Sequence, residues 1–220
     1  MRTCGAVFFP PVFEPSSRSP PTHENSGIRP SRRKPCIQGR LFAAQANWDA
    51  AETALRASKG LYESEQADDG ARDAAWALAE VLAHRGSIDE ALATIDSSVK
   101  HVDGPFALAD AAFHRGNVLA IAGRTGEALV PWRIAYATAS ANGLDPLRTA
   151  SAIALANALV AQGKLAEAEP LIGKIAQSGG QLYEAQVVQA RYLEAIGDHP
   201  GADESWKRVA LLRGERSSTP

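Results

Sequence analysis

Asp110 and His114 stand four residues apart, a spacing that puts two side chains on one helix face and could offer a metal two ligands. No third ligand follows nearby, and the same spacing serves as a simple ion pair. His84, His101 and His199 fall near expected turns or helix ends, where histidine complements the C-terminal carbonyls of a helix. Cys4 and Cys36 match no metal-ligand or disulfide spacing. Gly179 and Gly180 precede an expected helix but lack the following Lys and preceding strand of a phosphate-binding loop, so they read as a connector. Asp89, Glu90 and Glu167 fit first-turn partners of the helix dipole. GxSxG, HExxH, GxGxxG and GxxxxGK(S/T) are all missing from the sequence. The expectation is a protein with no catalytic residues, no cofactor and no metal.

The elements that would position any such residues are helices. Apolar residues make up 45% and charged residues 22% of the 220-residue chain, a globular balance. The formal net charge of -2 conceals a division. Residues 1–40 hold seven Arg or Lys against Glu14 and Glu24, together with seven of the thirteen prolines, whereas the rest is acidic. Residues 1–34 are therefore expected to form a disordered leader, and 214–220 a disordered tail. The short AVFF run at 6–9 is broken by Pro10 and Pro11, and no stretch approaches a membrane span, so a cytoplasmic protein without membrane or nucleic-acid partners is expected.

From residue 35 to 213 Ala, Leu, Glu and Gln dominate, with short breaks and no alternating Val/Ile/Thr runs. The breaks repeat. Ala46, Gly86, Gly123, Gly163 and Gly197 are each followed five positions later by alanine: Ala51, Ala91, Ala128, Ala168 and Ala202. Seven before each turn residue is Gly39, Ala79, Gly116, Ala156 or Ala190, and four before it Phe42, Leu82, Leu119, Leu159 or Leu193. Nine after it come Leu55, Ile95, Trp132, Ile172 and Trp206. Small residues let two antiparallel helices touch, large ones fill the flanks, and stacking buries the stripe that one hairpin leaves open.

The stretches LAHRGSIDEALATI (82–95), LAIAGRTGEALVPW (119–132) and LVAQGKLAEAEPLI (159–172) resemble the second half of tetratricopeptide repeats. The resemblance implies an all-α, right-handed α-solenoid of about five helix-turn-helix repeats, a scaffold that binds a peptide or helix of a partner protein. The large aromatic usual near the start of the first helix is replaced by Ala75, Ala112, Ala152 and Gln186. The long period also resembles repeat regions of bacterial transcriptional regulators and signalling proteins, which implies as the alternative a sensor or effector module lacking its DNA-binding domain. First helices line the groove in this family. The resemblance thus assigns partner binding to Trp76 and Glu80, Phe113 and Asn117, Ile153 and Asn157, and Val187 and Arg191, with the two Asn expected to bond a ligand backbone. The opposing expectation is that the apolar members only pack between hairpins. Neither partner nor oligomeric state follows from these residues.

Overall fold

A computed structural model describes residues 34–100, 104–179 and 182–217. Residues 1–33 of the expected leader, with Cys4, residues 218–220 of the expected tail, His101 and Gly180 lie outside them. The described residues form ten helices and no strand. They pair as hairpins: α1 (Lys34–Ala44) with α2 (Trp48–Ser64), α3 (Asp68–His84) with α4 (Ile88–Ser98), and α5 (Pro105–Ile121) with α6 (Thr125–Ala141). α7 (Asp145–Ala161) with α8 (Leu165–Gly179) and α9 (Tyr183–Ile196) with α10 (His199–Ser217) complete the series, the last helix running past residue 213.

The chain divides into two compact units, Met1–Thr94 and Ile95–Pro220, with the boundary inside α4. In the first unit α2 packs on α1 and α3. In the second, α6 lies against α5 and α7, α8 against α7 and α9, and α10 against α9. The first helices of its hairpins also touch directly, α5 with α7 and α7 with α9.

Each hairpin turn is one motif used five times. Ala46, Gly86, Gly123, Gly163 and Gly197 all have positive φ, between 55° and 85°. The next residue's N–H then reaches back to the carbonyl of the large apolar residue four before the turn. These bonds are Asn47 to Phe42, Ser87 to Leu82, Arg124 to Leu119, Lys164 to Leu159 and Asp198 to Leu193, at 2.8–2.9 Å. This is the left-handed cap that satisfies orphan carbonyls, and it explains why the turn column is glycine in four repeats. Ala46 bears the cost of a Cβ in that conformation.

The small columns also have a physical cause. The alanine five after the turn is at most 2% exposed in every repeat. A Cβ built on Gly39 would fall under 3.0 Å from the Leu55 side chain, and one on Gly116 under 3.0 Å from the Trp132 indole. In these two hairpins the residue seven before the turn therefore makes room for the residue nine after it. Burial of Leu55, Leu82, Leu159 and their like contributes about 1.5–3 kcal/mol each. At the last hairpin Leu193 and Trp206 remain part-exposed, because no further described hairpin covers its outer side.

Charges link successive second helices at a repeat spacing. Arg56 binds Glu52 at 2.7 Å and Glu90 at 2.6 Å, and in the second unit Arg133 binds Glu167 at the corresponding positions. Glu90 and Glu167 thus serve neighbouring repeats as well as their own helix dipoles. Arg85 adds contacts to Asp49, at 3.0 Å, and to Glu52. The Arg56 hydrogen bond, more than the charges of Arg56 and Arg85, holds the Glu52 carboxyl below its ordinary range against an opposing effect of burial.

Two outcomes follow for stability. Gly116→Ala should cost about 1–3 kcal/mol, because the indole has to shift, whereas Gly126→Ala, at a helical site with nothing near its would-be Cβ, should gain about 0.5–1 kcal/mol. Chemical denaturation of both variants checks this, and equal effects would refute the close approach. Glu52 has a depressed folded-state pKa, so its contribution is complete above the ordinary carboxylate range and lost as pH falls through the folded value. Glu52→Gln should therefore lower stability near neutral pH by about 0.5–1 kcal/mol and flatten the acid limb of stability against pH. An acid limb unchanged in the variant would remove Glu52 from that role.

Candidate functional site

In the second unit the positions ten and six before each turn fall one helical turn apart on one face of α5, α7 and α9. Ile153 and Asn157 of α7 and Val187 of α9 are half-buried, and Arg191 is exposed. The Arg191 Nη1 donates to Asn157 Oδ1 at 2.7 Å, joining two adjacent first helices across this face. Val160 and Ala161 extend the apolar ground one turn farther along α7.

Other members of the expected groove lie deeper. Trp76 is 2% exposed and Phe113 and Glu80 are 8% exposed. At most an edge of the two rings reaches solvent. Glu80 lies one turn before His84, and its charge opposes the effect of burial, which lowers the His84 pKa. The His84 ring stacks on Trp48 with centroids 4.2 Å apart and planes 5° from parallel. His84 occupies the last turn of α3, as expected, but His199 opens α10 and so sits at an N-terminus, away from the carbonyl end.

Asn117 has a task the sequence did not disclose. Its Oδ1 accepts a 3.1 Å hydrogen bond from Trp132 Nε1, beside the space Gly116 leaves for that indole. The other tryptophan of the same column, Trp206, donates to Glu194 Oε1 at 2.8 Å. The buried Trp132 N–H needs an acceptor, and each of these two repeats supplies its indole with one from its own first helix. The signal was present in the sequence as Gly116-Asn117 followed by Trp132, but only helix pairing shows that they meet. Asn157 instead faces Arg191, so the two Asn of one column do different work.

His114 approaches Asp110 at 3.7 Å. No cluster of three or more His, Cys, Asp or Glu able to hold a metal occurs among the described residues. Cys36 is a free, half-buried thiol on α1. Gly179 ends α8, consistent with a connector to α9. Ala75, Ala152 and Gln186, standing where an aromatic is usual, are all buried.

The tetratricopeptide repeat family model matches residues 73–97 and 149–174, the second and fourth hairpins. Among solved structures, the chain is similar to the nearly identical TPR-like repeats of a Podosopora anserina protein assigned to the kinesin light chains. Identity is 18% and the TM-score 0.57, with 85% of this chain and 97% of that one covered. A singly substituted form of those repeats matches with 18% identity and a TM-score of 0.58, covering 85% of this chain and 96% of the other. This likeness establishes the all-α helical-repeat solenoid. No curated protein matches the sequence.

Asn117→Ala should cost about 1–3 kcal/mol, because it leaves the Trp132 N–H buried without its acceptor. Asn157→Ala, whose partner Arg191 is solvent-exposed, should change stability by less than about 0.5 kcal/mol. Thermal melts of the two variants separate these roles; equal losses would contradict them.

Proposed function

We propose that this chain, in which the tetratricopeptide repeat model matches residues 73–97 and 149–174, works as a non-enzymatic scaffold binding a peptide or helix of a partner protein on the first-helix face of its second unit. The observation that supports this reading most is the accessible row of Ile153, Asn157, Val187 and Arg191 on α7 and α9. Aliphatic side chains there offer contact area, and amide and guanidinium groups offer oriented hydrogen bonds, the combination by which a helix or extended segment is held. Asn117 adds its amide at the α5 end of the row, while its carbonyl oxygen keeps Trp132 in place.

Trp76, Glu80 and Phe113 enter this reading as support. They fix the helices from inside, and mutation there would report folding before binding. The proposed setting is the cytoplasm, which the free thiol of Cys36 suits. No helix among the described residues is long and apolar enough to cross a membrane.

Selection of a displayed library of random linear peptides on the full chain supplies a ligand whatever the natural partner is. Ile153→Asp should weaken a selected peptide about tenfold or more by placing a charge on the apolar contact. Ile134→Asp, at an exposed position of the second helix α6, should leave affinity within about twofold. Calorimetric titration with melting curves checks both, and equal sensitivity of the two sites would displace the interface from this face.

A further inference from the structure

The first hairpin carries an apolar side that its own unit leaves open among the described residues. Five before each turn residue stands Leu41, Val81, Val118, Ala158 or Tyr192; the last four are at most 9% exposed, whereas Leu41 is 54% exposed. Within the units a preceding second helix packs against the first helices that bear Val81, Ala158 and Tyr192: α2 on α3, α6 on α7 and α8 on α9. Among the described residues no helix precedes α1. Ile37, one turn before Leu41, is 62% exposed. Beside them Phe42 of α1 and Ala50, Ala54 and Ala57 of α2 line an open groove of about 580 Å³. Large aliphatic side chains exposed in a column that is buried in every other hairpin mark a surface suited to helix packing.

The chemistry of this side selects its occupant. Spacing places the charges of α2 at Glu52, Arg56, Lys59 and Glu63 about half a turn away from Ala50, Ala54 and Ala57, on the side where Arg56 meets Glu90. Asp49, at the groove, is engaged by Arg85 at 3.0 Å. The other polar groups of the groove are neutral. Thr53 donates its hydroxyl to the Asp49 carbonyl at 2.9 Å, and Gln38 has both donors and an acceptor, so it can bond its own copy. A two-fold contact needs such a surface, because each group on it meets the same set of groups and an unpaired charge would face its like. The arginines of residues 1–33 would find only Asp49, already paired, so charge does not favour that segment.

We propose that this side joins two copies of the chain, with α2 of one lying across α2 of the other about a two-fold axis. Ala50, Ala54 and Ala57 let the two backbones approach, as the alanine column does inside each hairpin, while Ile37, Leu41 and Phe42 cover the flanks. The eleven residues of α1 span about 17 Å, so the contact is small and the dimer dissociates in the micromolar range. A dimer so formed carries the peptide-binding row of α7 and α9 twice, and the two contacts share no residue.

Sedimentation equilibrium of the full chain, from about 1 to about 200 micromolar, should follow a monomer–dimer equilibrium. Ala54→Glu and Ala54→Lys, each checked by its melting curve, should weaken that dimer about tenfold or more, because each sets like charges against one another at the crossing. Mixing the two variants should restore a dimer with one chain of each kind, within about tenfold of the unmodified affinity. Leu41→Glu, at an exposed site where folding is not at stake, should weaken the dimer as much as Ala54→Glu, whereas Ile153→Asp should leave it within about twofold. A chain that stays monomeric throughout this range, association that continues beyond two copies, or a dimer that keeps its affinity in Leu41→Glu would overturn the proposal. So would a mixture of the Glu and Lys variants that associates no more tightly than either alone. A photo-crosslinking residue at Ile37 identifies the occupant: adducts between two chains are expected, and adducts to residues 1–33 of the same chain would assign the groove to that segment instead.

Discussion

The close approach of two helices within each hairpin is the constraint from which the remaining structure follows. A glycine or alanine seven residues before the turn and an alanine five after it bring the backbones together, and a large side chain nine after the turn fills the space beside them. Gly116 and Trp132 show how tight this is, since a single Cβ would overlap the indole. The positive-φ cap reverses the chain within three residues, so the two columns can meet at all. Once hairpins are set at this distance, their outer sides hold apolar surface that only a neighbouring hairpin can cover, and stacking follows.

This constraint is written in small residues at fixed intervals, which is why the fold was legible in the sequence. Turn, alanine and large apolar columns could be aligned through all five repeats without knowing where any side chain pointed, and the backbone bonds from the turn to Phe42, Leu82, Leu119, Leu159 and Leu193 fall on those columns. The site was less legible. A column tells which face a residue shares, but not how deeply that face is covered: Trp76 and Phe113 belong to the same column as Ile153 and Val187, yet they are buried and the latter two are half-exposed. The pairing of Asn117 with Trp132 was hidden for a related reason. Both were assigned to their columns separately, whereas the hydrogen bond depends on the indole rotating into the space above Gly116.

Charge divides between the two sides of the repeats. On the second helices Arg56 with Glu90 and Arg133 with Glu167 tie one repeat to the next, and Arg85 joins the first of these pairs into a network through Glu52. These pairs are surface contacts worth little singly, and their contribution lies in registering adjacent helices. On the first helices of the second unit Arg115 and Arg148 still meet Asp96 and Asp145, whereas Arg191 meets the Asn157 amide in place of a carboxylate. Stability is concentrated in the hairpin crossings, so partly exposed residues of the first-helix face can serve recognition at small structural cost.

The central claim is that this face, and not the second-helix side, meets the partner. Incorporating a photo-crosslinking phenylalanine analogue one position at a time, at Ile153 and Val187 on the first helices and at Val130 and Ile134 on α6, tests it most directly. The account predicts that a selected peptide crosslinks at Ile153 and Val187, that excess unlabelled peptide suppresses those adducts, and that Val130 and Ile134 give none. Adducts of equal yield at the α6 positions, or competed adducts found there alone, would contradict it.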